Sequence, residues 1–141
     1  MALSLYREVL GNWQETGSSW WQLQSHLRIG AVNELFGRLD EASRAFLEAR
    51  NLARDLGRAE EEILHMNRLV RIALAQQDSE KAEERLELAS ELARNHGDPE
   101  LLALVAGSRA SLLYQKGNID AATNAFIEVS ERWEAMGKPL E

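Results

Sequence analysis

Residues 37–57 read Gly-Arg-Leu-Asp-Glu-Ala-Ser-Arg-Ala-Phe-Leu-Glu-Ala-Arg-Asn-Leu-Ala-Arg-Asp-Leu-Gly. Between the two glycines the apolar residues fall at three- and four-residue steps: Ala42, Ala45 and Phe46, Ala49, Leu52 and Ala53, then Leu56. That period gathers them on one side of an amphipathic α-helix of about four turns. Gly57 follows as a residue able to take the left-handed conformation that ends a helix without a Cβ penalty. The stretch is a helix that carries its own stop signal.

Steps of 40 residues carry the same pattern along the whole chain. Ala42 has counterparts in Ala2, Ala82 and Ala122, and Phe46 in Tyr6, Leu86 and Phe126. Ala49 matches Val9, Ala89 and Val129, while Ala53 matches Trp13, Ala93 and Trp133. Gly57 recurs as Gly17, Gly97 and Gly137. Such self-similarity at a fixed period marks a repeat architecture. A second, turn-like break falls within each repeat, at Gly37–Asp40, Gln77–Ser79 and Gly117–Asp120, so each repeat holds two helices. Ser19 stands three residues before Gln22 as a capping box, and Asp98 precedes Pro99 as an N-cap followed by proline at the first helical position. No alternating β pattern occurs, and the only prolines are Pro99 and Pro139. The spacing predicts an all-α chain of seven helices, near 2–16, 19–36, 39–56, 59–76, 79–95, 99–116 and 119–136. They form one domain: a lone helix at 2–16, then antiparallel pairs over about 19–57, 58–97 and 98–137.

Composition narrows the function. The 141 residues contain 16 Lys+Arg against 23 Asp+Glu, a net charge of −7, which argues against a phosphate-tracking nucleic-acid binder. The absence of cysteine removes disulfide scaffolds, thiolate zinc sites and cysteine nucleophiles. The longest apolar run, Leu101 to Gly107, is far short of the roughly 20 residues of a membrane helix. Arg7 and Glu8 interrupt what a signal peptide would need as an apolar stretch, so a cytoplasmic protein is expected. Catalytic constellations are missing too. His26, His65 and His96 show no i, i+4 pair for a metal, and no glycine loop suits a phosphate. Glu60-Glu61-Glu62 reads as a solvated helix start, where acids favour the positive end of the helix dipole. No enzyme, cofactor or metal is expected.

Ala-x3-Phe-x2-Ala after a turn (Ala42, Phe46, Ala49, with Ala82, Leu86, Ala89 and Ala122, Phe126, Val129) resembles the second helix of tetratricopeptide repeats. The first-helix half of that motif is matched more loosely: its glycine slot is kept at Gly30 and filled by Val70 and Ala110 in the later copies. At 40 residues the period exceeds the usual 34, and long repeats of this kind look like those of kinesin light chains and MalT-like bacterial regulators. The resemblance implies a right-handed α-solenoid and a non-catalytic protein-binding module, a scaffold or adaptor whose first helices line a concave face that receives a peptide or protein segment. On that alignment the inward slots include Gln24 and Arg28, Asn67, Arg68 and Arg71, and Ser108 and Ser111. Arginine forks suit carboxylates, so an acidic segment is the expected partner. The basic clamp by which some family members hold chaperone tails is not matched, since its slots here are Leu27, Ala31, Arg68, Leu104 and Ser108.

The end repeats suggest a second role. Where interior repeats use Ala53 and Ala93, the outer ones use Trp13 and Trp133, and Trp20-Trp21 open the first full repeat. Each tryptophan either folds over its own helix pair or meets another repeat. The latter would make the chain a self-assembly element, a homo-oligomer joined through its incomplete ends at Trp13, Trp20 and Trp133. Because neighbours on a helix point about 100° apart, one of Trp20 and Trp21 is expected to pack toward the helix of Trp13 while the other leans out.

Overall fold

A computed structural model describes residues 19–137, which form six α-helices: α1 (Ser19–Leu35), α2 (Leu39–Asp55), α3 (Ala59–Ala75), α4 (Ser79–His96), α5 (Pro99–Gln115) and α6 (Ile119–Ala135). Each agrees with its expected span to within one residue at either end. The helix expected at 2–16, with Trp13, lies outside the described residues. No strand occurs among the described residues. Every helix packs against its chain neighbours, and α3 packs directly on α5 as well.

The turns after α2 and α3 share one device. After α2, Arg58 N donates to Ala53 O at 2.9 Å and Gly57 N to Arg54 O at 3.0 Å, a reverse turn that satisfies the last carbonyls of the helix. The turn after α3 repeats the geometry, with Asp78 N to Ala73 O and Gln77 N to Leu74 O, both 3.0 Å. There the left-handed position is held by Gln77, at φ 60°, instead of glycine. At the start of α5, Asp98 accepts from Glu100 N at 2.8 Å with Pro99 behind it, as expected.

The core follows the 40-residue slots. Ala42, Phe46, Ala49 and Ala53 of α2 are buried, as are Ala82, Leu86, Ala89 and Ala93 of α4. Between them α3 supplies Ile63, Met66, Leu69, Val70, Ile72 and Ala73. The alanines let helices approach closely, and Phe46 fills the remaining space, a burial that stabilises by roughly 2–3 kcal/mol. Polar bridges link helices within and between repeats. Arg85 of α4 donates to Leu69 O at 3.0 Å and to Ser43 Oγ at 3.1 Å, and Gln76 Nε2 donates to Asp40 Oδ1 at 2.7 Å. No helix among the described residues is long and apolar enough to cross a membrane.

Candidate functional site

Helices α3 and α5 run in the same direction, because each is joined to α4 by a short reversing turn. They meet at one polar contact, where Ser108 Oγ donates to Asn67 Oδ1 at 2.6 Å and both side chains are buried. At 100° per residue, Leu104, Gly107, Ser111 and Tyr114 form a stripe along one flank of Ser108. Leu64, Arg68 and Arg71 form the matching stripe along Asn67. For parallel helices in contact at these two residues, both stripes turn to the same side of the molecule.

This places the expected binding residues as follows. Arg71 and Arg68 are exposed, Leu64 and Ser111 are half-buried, and Tyr114 is 64% exposed. Gly107 opens a gap in the surface: a Cβ there would meet nothing within 4 Å. On α1, Arg28 is exposed and Gln24 half-buried. Asn67 and Ser108, expected as groove residues, are instead spent on each other inside the seam. Ser111 Oγ donates back to Gly107 O at 3.2 Å. Arg68 lies with its guanidinium 5.2 Å from the centre of the Phe46 ring, a cation–π contact that covers the core. Arg28, Arg68 and Arg71 pair with no carboxylate among the described residues, whereas Arg50, Arg58 and Arg132 do.

One feature of α3 runs against the sequence reading, and a second is additional to it. Glu62 is buried and faces Arg50 of α2 at 3.7 Å, so the Glu60–Glu62 run is solvated only in part. Its signal lies 12 residues upstream, in an arginine at a slot that is serine in the next two repeats, Ser90 and Ser130. His65 is 5% exposed, and neither ring nitrogen has a hydrogen-bond partner. Burial, and then the nearby Arg68 charge, push its pKa down to about 4, so it is a neutral packing residue at neutral pH. His26 is half-buried beside a cleft of about 230 Å³ with Asn33, Arg44 and Glu48. Burial lowers its pKa while Glu48 acts in the opposite direction. No group of three or more His, Asp or Glu side chains placed to hold a metal occurs among the described residues.

At the ends, Trp20 and Trp21 are both exposed, and their rings stack edge to face with centroids 4.4 Å apart; the helix of Trp13, toward which one of them is expected to pack, lies outside the described residues. Trp133 is half-buried on α6. No protein-family model matches the chain, and a search of curated proteins finds no significant relative.

Proposed function

We propose that the chain is a non-catalytic binding module of the tetratricopeptide type. Its helix pairs stack as a right-handed solenoid, and the odd-numbered helices form a concave face for an extended protein segment bearing carboxylates. One observation carries this reading. In a chain of net charge −7, Arg28, Arg68 and Arg71 stand on the odd-numbered helices without carboxylate partners among the described residues, and Arg71 shares its face with exposed Leu104 and Tyr114. Cationic forks beside exposed apolar side chains suit a segment that alternates acidic and apolar residues. The Asn67–Ser108 contact holds the two helices in register, so Arg71 and Tyr114 keep a fixed separation.

The test is fluorescence anisotropy with labelled 12-residue peptides, acidic and basic, with free or amidated C-termini. Acidic peptides should bind, and Arg71→Glu combined with Arg28→Glu should weaken them by at least tenfold. Arg68 is left intact because it also covers Phe46. Equal binding of acidic and basic peptides, or indifference to the double charge reversal, would overturn the reading.

A further inference from the structure

The cleft beside His26 is built by α1 and α2, with Ile29 and Asn33 on one wall and Ala45 and Glu48 on the other. His26 lies about 200° round α1 from Arg28, so the cleft is on the far side of that helix from the arginine face. Asn33 is 1% exposed, and its Nδ2 donates back to Ile29 O at 2.9 Å. Its Oδ1 has no hydrogen-bond partner. A buried amide oxygen left unpaired is costly, and any group that donates to it gains by doing so.

The second repeat fills the corresponding place with a side chain of its own. Ala45 corresponds to Arg85, Ile29 to Leu69 and Asn33 to Ala73. Arg85 is half-buried, and its guanidinium donates to Leu69 O at 3.0 Å and to Ser43 Oγ at 3.1 Å. In the first repeat, Ala45 brings no guanidinium, and Ile29 O is already taken by Asn33. The acceptor left over is Asn33 Oδ1. The lining charge also suits a cation. Glu41 and Glu48 stand against Arg44, and His26 adds no charge at neutral pH because burial lowers its pKa. Exposed Glu48 forms no ion pair among the described residues. At about 230 Å³ the cleft is smaller than the roughly 300–1,000 Å³ of small-molecule pockets, and suits one long side chain.

We infer that this cleft binds the guanidinium of an arginine on a partner polypeptide, with the stem along Ile29 and Ala45 and the head between Asn33 Oδ1 and the Glu48 carboxylate. A planar fork donates to an amide oxygen and a carboxylate together, which a compact ammonium does less well. The methylene stem covers the apolar wall while the charged head stays on polar groups. His26 makes no hydrogen bond among the described residues, so its half-buried ring is free to turn aside and admit the group. Arg85 is itself presented by a helix, which makes a chain-borne arginine the nearest match. The inference does not depend on the acidic-peptide reading, which uses the other side of α1.

The experiment follows the Asn33 side-chain amide and the His26 ring by NMR as N-acetyl-arginine amide is added to the full chain. The titration runs to about 20 mM, since one side chain gives a dissociation constant in the millimolar range. Both signals should shift and saturate. The citrulline analogue, which keeps the shape and loses the charge, and the lysine analogue should each bind at least threefold more weakly. Free L-arginine should bind no more tightly than the capped form. Glu48→Gln changes an exposed residue, and should weaken capped arginine at least threefold while leaving the melting temperature unchanged. Ala45→Arg should place the chain's own guanidinium in the cleft, as Arg85 does, and abolish the shifts in a protein of unchanged helicity. If that variant does not fold, Asn33→Ala, the residue type of the second repeat at this slot, should weaken binding at least fivefold as read at His26. The absence of a saturable shift overturns the inference. So do equal binding of the citrulline or lysine analogue, indifference to Glu48→Gln, and a folded Ala45→Arg that still responds. Tighter binding of free L-arginine would overturn the polypeptide source.

Discussion

A Cβ placed on Gly30 would lie 2.8 Å from Cζ of Phe46, so these two residues, 16 apart in the chain, are a fitted pair. The later repeats change both members: Val70 stands with Leu86, and Ala110 with Phe126. Of these, Val70 with Leu86 pairs a bulkier first-helix residue with a smaller second-helix one.

Gly30→Ala should therefore destabilise the fold by about 1–2 kcal/mol, because overpacking outweighs the gain in helix propensity. The same change in a Phe46→Leu background should be neutral or stabilising. Urea denaturation of the four proteins in the cycle measures this. Simple additivity would mean that the ring shifts aside freely.

Removing one partner of the α3–α5 seam leaves a buried amide oxygen unpaired. Ser108→Ala should cost about 1–2 kcal/mol, and the double-mutant cycle with Asn67→Ala should give a coupling of about 1 kcal/mol. Acidic-peptide affinity should fall alongside stability, since the seam sets the separation of Arg71 and Tyr114.

The left-handed Gln77 is an easy site to stabilise. Its counterparts are Gly37 and Gly117, both at positive φ. Gln77→Gly should raise stability by about 0.5–1 kcal/mol in thermal denaturation, the relief of left-handed strain exceeding the entropy that glycine adds to the unfolded chain. The 3.2 Å bond from Gln115 to the Gln77 side chain is exposed and subtracts little.

His65 makes the fold sensitive to acid. Its folded pKa, about 4, lies below the ordinary 6.5, so between these values the unfolded chain binds a proton that the folded chain does not. Stability is lost as pH falls from 6.5 toward 4 and levels off below that. A pKa lowered from 6.5 to about 4 corresponds to about 3 kcal/mol. His65→Val, the residue type that fills this slot at Val105, should remove the effect. The gap between the two proteins' unfolding free energies should widen by that amount from pH 7 to pH 4, and a constant gap would contradict the assignment.

Much of the candidate face could be read from the repeat alignment, because slots 40 residues apart share a helix face. Arg28, Arg68 and Arg71 are exposed, as the alignment requires. The alignment could not tell which polar slots face solvent and which face another helix. Asn67 and Ser108 occupy inward slots of adjacent repeats, and their mutual bond follows from how closely α3 approaches α5. Arg68 is likewise drawn toward Phe46, a partner that no spacing within α3 could reveal.

The sequence by itself determined the helices, their ends and their number over residues 19–137. These depend on signals that act within a few residues: a 3.6-residue apolar period, a left-handed residue after the last turn, and the Asp98-Pro99 cap. Tertiary structure alone decided the burial of Glu62 against Arg50, the unpartnered state of His65, and the exposure of Phe126 in a slot that is buried twice elsewhere. Burial depends on which surfaces meet, and here those surfaces come from residues that lie 12 to 42 apart in the chain or, at α6, from none among the described residues.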